Sequence, residues 1–126
     1  MLDKKKLLEN KVEYFRSGSY GTEKYYKHFG GLLYTDGVKE MCEKLGAYWF
    51  IDIVASYIPK YREKDTFGVA RFHVDLEDSS GVFFIDNGNN KVYRTQEVEY
   101  TDLEINLKVY IQDNGKYWVA CMPEEY

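Results

Sequence analysis

The sequence predicts an α+β domain in which N-terminal helices pack on one face of an antiparallel sheet of about five strands. The first half of the chain repeats its apolar residues at helical spacing, whereas residues 67–122 alternate apolar and polar side chains. Turn residues separate the alternating segments, as between neighbouring strands. A chain of 126 residues can bury one core. We therefore expect a single domain over 1–126, mainly helical over 1–62 and an antiparallel meander over 67–122.

Three amphipathic segments open the predicted helical half. An apolar stripe over residues 8–15 predicts the first helix, and residues 22–28 predict a short second helix that ends at a pair of glycines. A stripe over residues 38–45 predicts the third helix. Thr35 and Asp36 precede that stripe, and either side chain could cap the helix.

Residues 45–58 form the most apolar segment of the chain, and they hold one carboxylate, Asp52, in the middle. The segment is too short to span a bilayer, which takes about 20 apolar residues. We expect a helix buried on every side that ends at Pro59. Asp52 would then accept hydrogen bonds from its neighbours. The alternative is that Asp52 serves as a general acid or base in a cleft.

The second half of the chain predicts the strands. Alternation is visible over 70–76 and 104–112, and turn residues on either side mark two further strands, 82–85 and 92–98. The fifth strand follows Asn114-Gly115, a pair typical of a two-residue hairpin turn.

This turn sets the expected register of the last two strands. It places Ile111 opposite Trp118 and puts the apolar residues of both strands on the core side. The opposite side would then show Lys108, Tyr110, Gln112, Tyr117 and Val119.

Tyrosine is unusually frequent, with 13 residues in the chain. Its ring is apolar and its tip is polar, so it suits both half-buried surfaces and binding hot spots. The candidate binding residues are Tyr20, Tyr25, Tyr26, His28, Tyr34, Asp36 and Asp52. The alternative is that these rings cap one end of the core.

Nothing in the sequence assembles a catalytic or metal-binding set. The histidines, His28 and His73, have no close cysteine or histidine partner, so a tetrahedral metal site is not expected. Cys42 lies on an apolar stripe, where a thiol behaves as a small hydrophobe rather than as a nucleophile paired with His28. The glycines do not fit phosphate-binding spacings. We therefore expect no catalytic residue, no metal and no cofactor.

The net charge of −4 argues against direct nucleic-acid binding. Acidic residues are densest at 75–78, 97–99 and 124–125, and the one basic run, residues 4–6, lies in a predicted helix. The first residues contain no apolar stretch of the kind found in signal peptides. We expect a cytoplasmic protein with two free thiols and no membrane association.

Three motifs carry a family resemblance: Gly21-Thr-Glu-Lys-Tyr-Tyr-Lys-His28, Leu33-Tyr-Thr-Asp-Gly-Val38 and Gly46-Ala-Tyr-Trp-Phe-Ile-Asp52. From about residue 19 to the C-terminus the chain resembles an uncharacterised family of small bacterial proteins, a domain of unknown function found in phage and plasmid genomes. The resemblance implies a mobile-element accessory protein in a bacterial host. The family has no assigned activity, so it supplies no catalytic residues.

These observations lead to one functional hypothesis and two alternatives. We expect a non-enzymatic accessory protein that binds another macromolecule, in its lead version a protein of a host defence system that it inhibits. A homodimer would also suit exposed tyrosines. The first alternative is a small-molecule or nucleotide-binding protein with a Tyr-lined pocket. The second is an enzyme of unrecognised type that uses Asp52 and His28 with the Thr35-Asp36 pair.

Overall fold

The computed structural model describes residues 7–18, 24–89 and 91–126. Its strands are β1 Tyr25–Lys27, β2 Leu32–Thr35, β3 Phe67–Asp75, β4 Ser80–Asp86, β5 Val92–Val98, β6 Leu107–Asp113 and β7 Trp118–Cys121. The α-helices that lie wholly within the described ranges are α1 Asp36–Leu45 and α2 Tyr48–Tyr61, and short 3₁₀ turns occupy Phe29–Gly31 and Pro123–Glu125. Both helices pack on one face of the sheet, here called the helix face. The other is called the open face.

The prediction of about five antiparallel strands is wrong, because the sheet has seven strands and is mixed. The strand order is β1-β2-β7-β6-β3-β4-β5, and β2 runs parallel to β7. The two unexpected strands come from the half predicted to be helical. Residues 25–27 are a strand rather than part of a helix. Strands of three and four residues are too short to show a period of two, so the pattern did not indicate them.

The strands of the second half do not pair in chain order. After β5 the chain crosses back and β6 pairs with β3, where Ala70 lies opposite Val109. An alternating pattern specifies the face of each side chain but not the neighbouring strand, so the sequential order of a meander did not follow from it.

The β6–β7 hairpin has a four-residue loop, so the predicted two-residue turn is wrong. Asp113 lies opposite Trp118, and Ile111 lies opposite Ala120 rather than Trp118. The loop is closed by Asn114, whose backbone N–H donates to Tyr117 O at 3.0 Å and whose Oδ1 accepts from Tyr117 N at 2.8 Å. The register differs by two residues, so every side chain keeps its predicted face.

Helix α2 has one buried side and one exposed side, so the expectation of complete burial is wrong. The buried side chains are Phe50, Ile51, Val54, Ala55, Ile58 and Tyr61. Asp52 points away from them and is exposed. Pro59 lies inside the helix, which continues to Tyr61 because Arg62 N donates to Ile58 O at 3.0 Å.

The N-terminal segment also departs from its predicted helix. Leu7 and Leu8 are helical, but residues 10–18 are extended or irregular, and Tyr14 forms a parallel bridge with Asn106. Asn106 is fully buried. Its side chain accepts from Val74 N at 2.9 Å and donates to Asn10 Oδ1 at 2.7 Å. The bridge and the hydrogen bonds of Asn106 hold this segment against the sheet, in place of the helix that the apolar stripe over residues 8–15 predicted.

The first turn of α1 confirms one of the two predicted caps. Thr35 is the N-cap, and its hydroxyl oxygen accepts from Val38 N at 3.4 Å. The same hydroxyl donates to Glu125 Oε1 at 2.7 Å, so the C-terminal turn is tied to the start of the helix. Among the described residues, no helix has the length and apolar character needed to cross a membrane.

Candidate functional site

Five of the predicted site residues meet where β1 and β2 face the first half of α2. We call this group, with one tyrosine that the prediction did not include, the tyrosine edge; its members are Tyr26, His28, Tyr34, Asp36, Tyr48 and Asp52. Tyr26 lies opposite Tyr34 across the antiparallel β1–β2 pair, and the two rings stack with centroids 5.4 Å apart. Tyr48, from the first turn of α2, meets Tyr34 edge to face at 6.3 Å.

Hydrogen bonds hold the Tyr26 end of the tyrosine edge in place. Tyr26 donates its hydroxyl to Asp36 Oδ1 at 2.9 Å, and Lys24 N donates to Asp36 Oδ2 at 3.3 Å. Lys39 Nζ lies 4.6 Å from the centroid of the Tyr26 ring. The hydrogen bond to Asp36, followed by burial, raises the pKa of Tyr26, so this phenol stays protonated at neutral pH.

His28 and Asp52 form the charged end of the tyrosine edge. His28 Nε2 and Asp52 Oδ1 are 2.7 Å apart, and the His28 ring meets Tyr34 edge to face at 6.0 Å. The Asp52 side chain is 55% exposed, so this carboxylate is not the buried acid that the sequence indicated. The apolar neighbours of Asp52 in sequence lie on the other side of the helix. An exposed pair of this kind can present a charge to a partner at little desolvation cost.

The two remaining predicted residues do not join the tyrosine edge. Tyr25 alternates with Tyr26 along β1 and therefore lies on the open face, with 57% of its surface exposed. Tyr20 lies outside the described residues. Tyr48 was missed, although its place one helical turn before Asp52 already put both residues on one side of α2.

The thiols do not support nucleophilic catalysis. Burial raises the pKa of Cys42 to about 12, with a smaller contribution from the charge of Asp52. Burial likewise raises the pKa of Cys121 to about 12. Neither thiol forms a thiolate at neutral pH, and the Cys42 Sγ–H points to Ala47 O at 3.7 Å rather than to His28.

The buried acid of this protein is Asp86, at the end of β4. Its side chain is completely buried, and its Oδ2 accepts a hydrogen bond from Arg71 Nε at 2.7 Å. Its Oδ1 accepts from Gly88 N at 2.8 Å. In the sequence, Asp86 directly follows the predicted strand 82–85, where turn residues are expected, and nothing there indicated a buried acid. Because Arg71 lies opposite Phe84 and next to Asp86 across the β3–β4 pair, the partner is visible only once the register is known.

His73 is a buried histidine on the open face of the sheet, the face on which Asp86 also lies. The Tyr14 hydroxyl is hydrogen-bonded to His73 Nε2, and the Nδ1 of His73 has no partner at hydrogen-bond distance among the described residues. Burial and the positive charge of Arg71 lower the pKa of His73 to about 4, against a weaker opposing contribution from the backbone of Leu7. His73 is therefore neutral at physiological pH and acts as a structural hydrogen-bond partner.

Within the described ranges, no group of three or more metal-ligating side chains is placed to hold a metal ion.

Comparison with known proteins gives the family of the chain. The searches of curated proteins and of solved structures gave no match. One family model does match, over residues 10–126, and it is described as a family of unknown function, DUF6876. The expectation of a family of unknown function is thus confirmed, whereas its bacterial origin and its phage and plasmid setting stay predictions. The chain belongs to the DUF6876 family.

Proposed function

We propose that this protein is a non-enzymatic accessory protein that binds another protein through the tyrosine edge. The observation that carries the proposal is the concentration of aromatic rings and of one histidine–carboxylate pair at a single sheet edge. Tyrosine is enriched among binding hot spots because a large ring is buried at little cost in side-chain entropy. His28 and Asp52 add a charged contact beside those rings.

Two further rings extend the apolar area around the tyrosine edge. Phe29 follows His28 in the 3₁₀ turn and is 56% exposed, and its ring lies 4.8 Å from that of His28. Tyr25 is 57% exposed on the other side of β1. Large exposed rings on both sides of one short strand favour a partner that wraps around the sheet edge.

The position of β1 in the sheet supports the same mode of binding. Within the described residues, β1 pairs only with β2 and ends the sheet. The outer backbone groups of an edge strand can pair with an extended segment of a partner, which adds affinity while the side chains add specificity. In the lead version of the proposal, the partner is a component of a bacterial host defence system that this protein inhibits.

The described side chains favour binding over catalysis. Both thiols are buried and protonated, and His73 is buried and neutral. The other histidine, His28, is half-buried and is paired with Asp52, a carboxylate that is open to water. A general base takes its proton from a bound substrate, a water molecule or a nucleophilic side chain, and no nucleophilic side chain of the described residues is hydrogen-bonded to His28.

The proposal is tested by changing the exposed rings while leaving the core intact. Wild-type protein is cross-linked in lysate of a bacterial host, the partner is identified, and both proteins are purified for titration. Tyr25→Asp combined with Phe29→Asp is expected to weaken binding by about 100-fold, since two hot-spot rings are lost and two charges enter the interface. Tyr100→Asp, at a ring that is 73% exposed elsewhere, is the matched control and leaves affinity within about twofold.

Two results would contradict this assignment. One is a purified partner that binds the double variant as tightly as it binds wild type. The other is substrate turnover that disappears in Asp52→Asn while partner binding is unchanged, which would make the exposed pair catalytic.

A further inference from the structure

A concave site lies near the β5 end of the sheet, opposite to the end that carries the tyrosine edge. It is formed where the end of α2 meets the β4–β5 hairpin, and it encloses about 380 Å³. Four cationic side chains line it, Lys60, Lys64, Lys91 and Arg94. We call it the basic pocket. Its other lining groups are apolar or phenolic, and none is acidic.

The positive charge of the basic pocket is concentrated in its lining. The protein as a whole carries a net charge of −4, so four cations in one cavity do not follow from its composition. None of the four forms an ion pair with a described residue. Lys60 lies in the last turn of α2 and Lys64 lies three residues beyond its end, so two like charges that line the same cavity repel each other. An anionic ligand would relieve this repulsion, as phosphate does at other basic sites.

A bulge in β5 directs two consecutive side chains into the pocket. Arg94 lies opposite Ile85, but the next pair along the strands is Val92 with Asp86, so Tyr93 is the extra residue. Tyr93 packs against the helix-face core, and Arg94 shares that face with Ile85. In a regular strand two neighbours would point to opposite faces. Bulges are frequent next to binding sites because they redirect a side chain in this way.

Tyrosine rings form the wall of the pocket beneath the cations. Tyr61 meets Tyr93 edge to face at 5.3 Å, and its hydroxyl donates to Phe67 O at 2.7 Å. Lys91 Nζ lies 5.1 Å from the centroid of the Tyr93 ring. The Tyr61 ring is therefore fixed, while Tyr93 is only partly buried and leaves ring surface at the cavity. A partly exposed ring among cations suits a ligand that has both a planar ring and negative charge.

A larger cavity on the open face does not have this character. It encloses about 800 Å³ and is lined by Glu13, Arg16, Lys108 and Glu124 together with aromatic and proline side chains. The negative charges of its two acidic side chains cancel the positive charges of its two basic side chains, so that cavity does not select ligands by charge. The basic pocket differs because all four of its charged groups have the same sign.

We propose that the basic pocket binds a small organic phosphate with a planar ring, of the nucleotide class. The cations contact the phosphate groups and Tyr93 stacks on the ring. The volume of 380 Å³ is within the range of small-molecule sites, about 300–1,000 Å³. A single small cavity on an acidic protein favours a free nucleotide over a nucleic-acid strand, which needs a continuous basic track. The site is separate from the tyrosine edge and does not depend on the proposed function.

Calorimetric titration with ADP, adenosine and inorganic phosphate tests the assignment. Wild type is expected to bind ADP at least about tenfold more tightly than either fragment, because only ADP uses both the cations and the ring. Lys60→Gln combined with Lys64→Gln is expected to weaken ADP binding by about tenfold or more. The matched control is Lys39→Gln with Lys44→Gln on α1, which removes the same charge and leaves ADP binding within about twofold.

A third variant separates the aromatic contribution from the electrostatic one. Tyr93→Leu keeps the cations, so it is expected to bring the affinity for ADP close to the affinity for inorganic phosphate. Thermal unfolding of each variant verifies that it is folded before titration.

Four outcomes would overturn the proposal. The first is the absence of saturable ADP binding by wild type. The second is equal loss of affinity in the two lysine pairs, which would mean that only net charge matters. The third is phosphate binding as tight as ADP binding. The fourth is a 12-nucleotide oligothymidylate that binds more tightly than ADP, which would assign the pocket to a nucleic-acid strand instead.

Discussion

Two parts of this molecule are built from the same three residue types and differ mainly in exposure. The tyrosine edge combines Tyr26, His28 and Asp52, and the Asp52 side chain is 55% exposed. The open face combines Tyr14, His73 and Asp86, and there the acid is completely buried. Because water stabilises an exposed charge, the first group is free to contact a partner, whereas the second must satisfy its polar atoms internally.

The comparison shows that the hydropathy of neighbouring residues is a poor guide to the burial of a charge. Asp52 is surrounded by apolar residues in sequence and lies on the exposed side of α2. Asp86 begins a polar loop and is the buried member, held by Arg71 and Gly88. The burial of a charged side chain depends instead on whether it points toward or away from the segments that pack against its own helix or strand.

The largest expected effect tests the buried acid. Asp86→Asn removes the negative charge beside Arg71, a guanidinium that is itself largely buried. Breaking a buried pair while one charge remains costs about 3–5 kcal/mol of unfolding free energy. Urea denaturation measures this loss. If Asp86→Asn unfolds at the same urea concentration as wild type, the ion pair is not a structural element and the comparison fails.

Acid should destabilise the protein through His73. Its pKa is about 4 when folded and 6.5 in the ordinary state, so the unfolded chain binds the proton first. The stabilising contribution is complete above pH 6.5 and is lost as the pH falls toward 4. At about 1.4 kcal/mol per pH unit, the loss reaches about 3 kcal/mol. Urea midpoints across this range measure it.

The control for this pH effect is the half-buried histidine of the tyrosine edge, His28. His73→Gln should flatten the part of the stability profile between pH 6.5 and 4, whereas His28→Gln should leave it in place because His28 lies on the other face. The opposite pattern would show that the acid sensitivity of the protein comes from the tyrosine edge.

A smaller effect is expected from the hydroxyl groups of the two tyrosines. Tyr14→Phe leaves His73 Nε2 buried without its partner, which costs about 1–2 kcal/mol. Tyr26→Phe removes a hydrogen bond to Asp36, but water can replace that hydroxyl at the edge of the sheet. Thermal unfolding of the two variants should therefore show the larger decrease for Tyr14→Phe. Equal decreases would mean that the two tyrosines are equally buried.

The smallest effect on stability is expected at Asp52. Asp52→Asn removes an exposed pair with His28, and such pairs contribute within about 0.5 kcal/mol. Partner affinity should instead decrease by about tenfold, because the charge contributes only in the complex. Parallel measurements of unfolding and of binding give both quantities. A variant that is strongly destabilised would show that Asp52 carries the structural role first expected of it.

The β6–β7 hairpin shows how far pattern reasoning reached. The alternation over residues 107–111 predicted the face of each side chain correctly. The register was wrong because Asn114 closes a four-residue loop through its own side chain, and a two-residue shift preserves the alternation. Gly115 has the positive φ, +102°, that the Asn-Gly pair indicated. Local turn chemistry was therefore visible and loop length was not.

The tyrosine edge was likewise predicted only in part. Its clustered residues were identified, but the secondary structure that holds them was not. Clustering in sequence placed Tyr26, His28 and Tyr34 together, and they do meet. Their assignment to a helix and a loop was wrong, because the β1–β2 hairpin is stabilised by the parallel pairing of β2 with β7, more than 80 residues away in the chain. The cations of the basic pocket were missed because they come from two elements that are adjacent only in the folded chain.

The sequence by itself determined which side chains of β3, β6 and β7 face the core, the start of α1 at Thr35 or Asp36 and the clustering of tyrosines along one segment of the chain. These properties depend on residues close together in the chain. The tertiary structure decided that β6 pairs with β3 and that Asp86 rather than Asp52 is the buried acid. Both outcomes depend on contacts between distant segments, because the burial of a charge is set by what packs over it and not by its neighbours in sequence.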